Sequence, residues 1–516
     1  MPAQNQQPDI LMIVLDTQRV DRLSCYGYEH ETSPYLDAFA EDATLFQRAI
    51  APAQWTVPSH ASMFTGVYPS VHGTQHAHTI LPNELPTLAQ RLTDHGYYTA
   101  AFCNNPLVGV VNNGLRRGFF SFLNYSGILT SRPNQAGVPL TVFGRYRQVF
   151  KRVLGGFVHK VQDAFARSDA LLNFAFTPIM LPLWQSALSF KGNTAKSLND
   201  AAQLHISRKE TLPNQPIFSF VNLMGTHMPF HPMHEHVERY APGVLQDREA
   251  QKYLRKFNSD VFGWLAPLGS DMAAEHSAII NGMYDAEVAS QDQHLGQFFE
   301  KLRSSGKLDN TMVIICADHG EHLGEKHLIG HSISAYNLLT HVPLIIRDPA
   351  GNLTRGDVRD NLVSTRRLYH TILTAAGAAT PQEMAYNVAQ SAASDPDDGT
   401  VFAEAVTSQN VLNIIQKHKP ELVARHRCDQ PRRAVWNGQH KLILTGPEHR
   451  ELFNLASDPT EDTNLYTQLP DTAATLHEHI RAFELHNATV AKGAGRITEQ
   501  IDSQLQRHLR ALGYLD

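Results

Sequence analysis

The chain has 516 residues, 42% hydrophobic and 18% charged, and 44 Lys+Arg against 50 Asp+Glu leave a formal charge of −6. This composition excludes a disordered chain and argues against a protein that tracks nucleic-acid phosphates, and the length calls for one large domain and a smaller one. Four scattered cysteines (Cys25, Cys103, Cys316, Cys428) exclude a disulfide framework and a structural zinc site, whereas 28 histidines supply many groups that ligate metals and move protons near neutral pH.

The first apolar run, residues 10–15 (ILMIVL), is followed at once by the carboxylate Asp16. It lacks a basic flank and a cleavage site, so it reads as a buried strand and not as a signal peptide; a cytoplasmic protein is expected. LPTLAQRLTDHGYYTAAFCN reads as a helix followed by a strand, and QPIFSFVNL as a strand. HSAIINGMYDAEVASQDQHLGQFFEKLRSSG is a long helix stopped by Gly306, and it feeds the apolar strand TMVIICAD. Helices alternating with apolar strands predict an α/β domain over residues 1–400, with a large, mainly parallel sheet sandwiched by helices. From residue 401 to 516 the pattern changes to a small antiparallel sheet, with a hairpin at Asn437-Gly438, a closing helix near 471–485 and a helical tail.

Residues 142–190 stand apart as an insert. Phe143, Tyr146, Val149, Phe150, Val153, Leu154, Phe157, Val161 and Phe165 recur at helical spacing, while Arg145, Arg147, Lys151, Arg152, Lys160 and Arg167 face the single acid Asp163. Residues 171–190 carry no charge, but Pro178 and Pro182 argue against a membrane span. Three readings follow: a helical lid in peripheral contact with an anionic membrane, an interface of a homo-oligomer, or packing within the chain.

Asp16 and Asp318 each end a buried strand, and His319 follows directly. Ligands of open α/β sheets sit at the carboxyl ends of strands, so the three can face one site. Their mixed oxygen and nitrogen donors suit zinc, manganese or calcium; the simpler reading is that each aspartate caps the segment after it. In QWTVPSHASMFTG, Pro58 fits the first turn of a helix that Gly66 ends. Thr56 then stands at the helix start, either as its N-cap or as an alcohol nucleophile beside a metal.

Taken in order, DTQRVDRLSCYG, WTVPSHASMFTGVYPSVHG, LPTLAQRLTDHGYYTAAF, RGFFSF, ADHGEHLGEKHLIGH with HVPLIIRDP, and ELFNLASDPTEDTNL resemble the sulfatases of the alkaline phosphatase superfamily. The resemblance covers nearly the whole chain apart from about residues 125–200. It implies a sulfatase-type α/β fold, one catalytic divalent metal and hydrolysis of a sulfate or phosphate ester. The family's nucleophile lies in a Cys/Ser-X-Pro-X-Arg motif and is oxidised to formylglycine. Here the run is Thr56-Val57-Pro58-Ser59-His60. A secondary alcohol cannot yield the aldehyde, so no formylglycine is expected and Thr56 must act as a plain alkoxide. That is similar to the nucleotide pyrophosphatases and lipoteichoic acid synthases, threonine-nucleophile phospho-transfer enzymes of the same superfamily.

Other positions depart in the same direction. His60 replaces the motif's arginine, Asn104 and Asn105 stand where a lysine segment binds sulfate, and His331 stands where sulfatases and phosphonate monoester hydrolases carry a second lysine. The usual Asp-Asp pair is Asp16-Thr17. His227, in NLMGTHMPF, matches a His-X-Pro segment and could protonate the leaving oxygen. Leu223 stands where a second metal would need an aspartate, which favours one metal held by Asp16, Thr56, Asp318 and His319. His331, His60 and Asn105 would then hold the other substrate oxygens.

The expectation is a metal-dependent hydrolase of phosphate or phosphonate esters acting through Thr56 on a small-molecule or lipid-derived anionic ester. A sulfatase using the same site is the first alternative, and a non-catalytic scaffold on the same fold the second.

Overall fold

The computed structural model describes residues 7–76, 79–126, 191–207, 215–260 and 262–491. The insert at 142–190 and the tail beyond 491 lie outside the described residues. Among the described residues eleven strands precede the C-terminal sheet: β1 (Asp9–Leu15), β2 (Thr44–Ile50), β3 (Tyr98–Cys103), β4 (Ser121–Asn124), β5 (Ile217–Leu223), β6 (Thr311–Cys316), β7 (His322–Leu323), β8 (Ile329–Gly330), β9 (His341–Val342), β10 (Leu344–Arg347) and β11 (Val358–Ser364).

The central sheet runs β11-β2-β10-β6-β1-β5-β3-β4, with β9 against β2. The pairs β1–β5, β1–β6, β3–β5, β3–β4 and β2–β11 are parallel, and only β9 and β10 make antiparallel pairs. The continuous apolar texture of β1, β5 and β6 follows from this arrangement, because both faces of a central parallel strand are covered. Successive side chains of β1 enter two separate cores. Leu11, Ile13 and Leu15 pack with the helix Ala274–Ser304, while Ile10, Met12 and Val14 pack with Ala61, Met63 and Phe64 of the helix Thr56–Thr65. Helices therefore cover both faces, as the sequence pattern predicted.

A second sheet, β12 (Thr400–Ala405), β13 (Arg432–Asn437), β14 (His440–Thr445) and β15 (His449–Asn454), is antiparallel throughout in sequence order. Gly438, at φ 58, makes the expected tight turn between β13 and β14. The closing helix spans Pro470–Ala491, longer than the expected stretch, and packs on this sheet through Leu476 and Ile480. β12 joins the two sheets: Glu404 N–H donates to the Pro52 carbonyl, and the Glu404 carboxylate accepts from Ser70 N–H. Among the described residues no helix is long and apolar enough to cross a membrane.

Candidate active site

Two carboxylates lie just beyond the carboxyl ends of the adjacent parallel strands β1 and β6. The turn after β1 is sharp. Thr17 has φ 61, a left-handed conformation that a β-branched residue adopts only when its surroundings hold it there. Its carbonyl accepts from Tyr284 Oη (2.7 Å), its hydroxyl donates to Thr226 Oγ1 (3.3 Å), and its N–H points to Asp318 Oδ1 (3.4 Å). Thr226 in turn donates to the Asp16 carbonyl at 2.7 Å. The strained turn thus aims the β1-end carboxylate at the β6-end carboxylate.

Asp16, Asp318 and His319 bring three ligand atoms within 4.8 Å of one another, all of them buried. Asp16 Oδ2 accepts from Asn105 Nδ2 (2.6 Å) and lies 3.5 Å from Asn222 Nδ2. Asp318 Oδ1 accepts from His319 N–H at 3.0 Å. The remaining oxygens, Asp16 Oδ1 and Asp318 Oδ2, receive no hydrogen bond among the described residues. Two orphaned carboxylate oxygens at one buried point are costly unless a cation meets them. Burial pushes the Asp16 carboxyl above its usual range; burial, and then the neighbouring Asp16, pushes Asp318 well above it.

His319 completes the donor set. Its Nδ1–H donates to the Gly320 carbonyl at 2.9 Å, which leaves Nε2 as a bare lone pair beside the two carboxylates. Burial, then His331, holds this imidazole well below its ordinary pKa, the neutral form a metal requires. Carboxylates, an imidazole nitrogen and an alcohol fit a divalent ion of the zinc or manganese type.

Thr56 opens the helix Thr56–Thr65 after an extended Trp55, with Pro58 in its first turn and Gly66 (φ 75) closing it. The buried hydroxyl donates to His319 Nε2 at 3.2 Å and lies 3.5 Å from Asn105 Nδ2. The free N–H groups of that helix start favour an anion at the same point. Ser59, one turn along, donates to the Asp318 carbonyl at 2.7 Å and ties the helix to the end of β6.

The other candidates divide into those within the site and those behind it. Asn105 bridges Asp16 and Thr56. Asn104 does not face them: its Nδ2 donates to Ser197 Oγ (3.2 Å) and its Oδ1 accepts from Asn193 N–H (3.3 Å). His60 lies one helical turn below Thr56, fully buried, with Nδ1 bonded to the Thr56 carbonyl (2.9 Å) and 3.4 Å from Asp318 Oδ2. Its ring sits edge-on to Phe64 and Phe220, so it supports Asp318 from the core side. His227 donates through Nδ1 to the Met228 carbonyl. Its ring centre is 5.2 Å from that of His331, which is 4.5 Å from that of His319, so the three imidazoles line one side. Burial holds His227 and His331 down to about 4, so both rings are neutral at pH 7.

Four further residues belong to the site. Asn222 is the last residue but one of the apolar β5, and Thr226 follows the strand; a polar residue near the close of a buried strand was the available signal. Thr17 gave none, because its conformation is invisible in the sequence. Glu321, inside ADHGE, is fully buried with Oε1 2.8 Å from His331 Nδ1, and burial raises its carboxyl to about 8.

An open α/β sheet with an alcohol, an imidazole and two strand-end carboxylates gathered at one point has the architecture of the alkaline phosphatase-like class. The chain belongs to the sulfatase family, whose model, Sulfatase, matches residues 8–378. It is similar to the "Uncharacterized sulfatase YidJ" of Escherichia coli K12, 22% identical with 92% of this chain and 86% of that protein covered. It is equally similar to the N-acetylgalactosamine-6-O-sulfatase of Bacteroides thetaiotaomicron, 22% identical with 92% of each chain covered. In architecture it resembles the phosphonate monoester hydrolase of Agrobacterium radiobacter, with TM-score 0.63, 19% identity, and 93% of this chain and 96% of that one covered.

Proposed function

We propose that the chain hydrolyses phosphodiesters or phosphonate monoesters through Thr56. The observation that carries this reading is the placement of the Thr56 hydroxyl, bonded to His319 and facing two carboxylates with orphaned oxygens. Asp16, Asp318, His319 and Thr56 would hold one divalent ion, which supplies a lowered pKa for the alcohol and charge stabilisation for the ester's non-bridging oxygens. The Thr56 alkoxide attacks phosphorus, the ester oxygen departs, and water then attacks phosphorus in the phosphothreonine. Asn105 and the helix start would hold oxygens of the reacting group; His227, neutral and with its Nδ1–H held by the Met228 carbonyl, has no ring proton to give the departing one.

The choice of phosphorus over sulfur follows from the alcohol. A phosphothreonine is opened at phosphorus, whereas a sulfo-threonine has no hemiacetal through which to expel sulfate. Charge points the same way. Amides, neutral imidazoles and backbone N–H groups bond to Thr56, Asp16 and Asp318, where a lysine or arginine would match a second negative charge. The donor set therefore suits a monoanionic ester better than a dianionic phosphate monoester.

Sulfate ester hydrolysis is the second reading, favoured by the sulfatase relatives. A panel of bis-p-nitrophenyl phosphate, p-nitrophenyl phenylphosphonate, p-nitrophenyl phosphate and p-nitrophenyl sulfate with manganese or zinc separates the two. The diester and the phosphonate should give the highest kcat/KM; a higher value on sulfate than on both would remove the phosphorus reading.

A further inference from the structure

β7 and β8 form a short antiparallel ribbon, and the chain on either side of β8 lies against the C-terminal sheet across a cavity of about 110 Å3. One face of that sheet forms its floor. Arg432 of β13 pairs with Thr445 of β14, and Thr445 with His449 of β15, so the three side chains stand in one row, with Glu451 two residues along. The walls are Lys326, from the turn between β7 and β8, and Arg425, His426 and Arg427 at the end of the helix Pro420–His426. Four cations therefore surround one carboxylate, and that carboxylate is already engaged: Glu451 Oε1 accepts from Tyr336 Oη at 2.8 Å, and Oε2 lies 3.3 Å from His449 Nε2. Lys326 pairs with Asp462 at 2.6 Å, and Arg425 Nη1 donates to the Gly269 carbonyl at 2.8 Å. Arg432 is different, because it is only 7% exposed. Its guanidinium donates to the carbonyls of Gln430 (3.1 Å), His426 (2.7 Å) and Arg427 (3.2 Å), which closes the helix end. Those bonds use three of its five N–H groups and leave its charge unmatched. His426 Nε2 is buried with no hydrogen-bond partner among the described residues. Burial, then Arg425, His327 and Arg432, hold that ring below its ordinary pKa, as a cluster of cations would. The backbone is strained at the same place. Lys326 (φ 57), His327 (φ 59) and Arg427 (φ 50) are all left-handed without being glycine, a conformation that gathers at ligand sites.

We propose that this cavity is an oxyanion site, separate from the catalytic centre, that takes one phosphate or sulfate group. Arg432 supplies the buried charge. Its two remaining N–H groups and the guanidinium of Arg427 offer the planar fork geometry that matches a tetrahedral oxyanion, and Arg425 and Lys326 add to the attraction. The volume admits one such group with a water or two and excludes a chain segment. None of Asp16, Thr56, Asp318 and His319 lines it, and its arginines contrast with the amides and imidazoles gathered around Thr56. The stretch from His331 to Tyr336 nevertheless runs from one site to the other: His331 stands beside His319, and Ser334, Ala335 and Tyr336 line the cavity. A free inorganic anion and a second charged group on an extended ester share the chemistry this site recognises.

Titration calorimetry of the full chain with sodium sulfate, at an ionic strength held constant with chloride, tests the site. One sulfate should bind here whether or not the catalytic centre is intact, so Asp318→Asn should leave its affinity within about twofold. The double variant Arg425→Ala/Arg427→Ala changes two exposed side chains and should weaken it about tenfold or more, the range that lost charge-assisted hydrogen bonds span. Arg432→Lys keeps the charge without the fork and should fall between. Sulfate affinity in Arg425→Ala/Arg427→Ala within about twofold of wild type overturns the proposal, and so does binding that Asp318→Asn alone abolishes; neither result bears on whether Thr56 attacks phosphorus. Kinetics then separate the two sources of the anion. For a group carried by the substrate, Arg425→Ala/Arg427→Ala should raise KM about tenfold for a p-nitrophenyl diester bearing a terminal phosphate on its second alcohol, and leave KM for bis-p-nitrophenyl phosphate unchanged. For a free anion, the two esters should respond alike.

Discussion

β1 carries an aspartate at each end, and the protein treats the two in opposite ways. At the amino end, Asp9 Oδ1 accepts from Ile217 N–H at 2.9 Å, and Oδ2 lies 3.7 Å from His205 Nδ1. The opposite ring nitrogen of His205 bonds to Ser219 Oγ at 2.9 Å. An Asp–His–Ser array of this kind has the order of a nucleophile relay, yet Ser219 is fully buried in the middle of β5, which is paired on both sides by β1 and β3. It closes a polar network within the core. At the carboxyl end, Asp16 is just as buried, but among the described residues Oδ1 has no donor and Asp318 Oδ2 beside it has none either. Chemistry-bearing residue types occur at both ends; among the described residues, His205 Nδ1 is left without a hydrogen bond at the amino end, whereas the paired carboxylate oxygens without a donor occur only at the carboxyl end. Buried polar groups without partners cost about 1–3 kcal/mol each, and clustering that cost around an alcohol is what distinguishes a site from a scaffold.

The largest expected effect falls on the open end. Thr56→Ala should lower turnover of the best ester on the order of a thousandfold or more, while Asp16, Asp318 and His319 still bind the ion, more weakly. Thr56→Ser should retain measurable activity, because the hydroxyl remains. Turnover of Thr56→Ala within tenfold of wild type would mean that water, not Thr56, attacks.

The two ends can also be exchanged as targets. Asp318→Asn should lower metal content, measured on protein purified without chelator, and rate together. Asp9→Asn should leave metal content and kcat unchanged and lower thermal stability instead, by about 1–3 kcal/mol for the broken network. If Asp9→Asn lost metal as Asp318→Asn does, the division between a closed and an open end would fail.

A third expectation concerns stability against pH. The folded-state pKa of Asp318 is raised, so in metal-free protein its contribution is fully present below the unfolded value of about 3.9 and is lost as pH rises through the folded value. Asparagine removes that loss. Chelator-treated Asp318→Asn should therefore melt above chelator-treated wild type at pH 8, and the difference should shrink as pH falls towards 4. Adding the ion should reverse the order at pH 8, since it stabilises only the chain that binds it. Equal melting at both pH values, at one fixed scan rate, would show that Asp318 is not held against a buried-charge cost.

Much of this site could be read from the chain because strand ends are legible. The apolar runs that became β1 and β6 stop at Asp16 and Asp318, and the Pro58 and Gly66 signals bounded the Thr56 helix. The rest depends on where side chains turn, which periodicity does not encode. Asn104 and Asn105 are adjacent, so sequence could not tell which faces the site. His60 occupies a motif position but points into aromatic packing against Phe64 and Phe220. Glu321 lay in the recognised stretch, yet its place beside His331 depends on a ribbon of two-residue strands too short to carry an alternating pattern. Thr17 was noted only as a missing carboxylate, whereas its left-handed turn is what brings Asp16 to Asp318.

The smallest effect separates the neighbouring asparagines. Asn105 starts the turn Pro106–Gly109, accepting from Leu107 N–H at 2.8 Å while its Nδ2 reaches Asp16 and Thr56. Its side chain is thereby fixed by the backbone on one side and spent on the site from the other. Asn105→Ala removes a donor from a buried carboxylate and from the nucleophile's surroundings, and should lower kcat about ten- to a hundredfold with a smaller change in KM. Asn104 instead ties the end of β3 to the start of the helix Thr194–Ser207, and a Cβ at Gly192 would meet its side chain at 2.5 Å. Asn104→Ala should lower the melting temperature by a few degrees, as the loss of one or two buried hydrogen bonds does, and leave kcat within about threefold. Steady-state kinetics and melting curves on the two variants decide the matter: a kcat loss in Asn104→Ala as deep as that in Asn105→Ala would place both amides against the substrate.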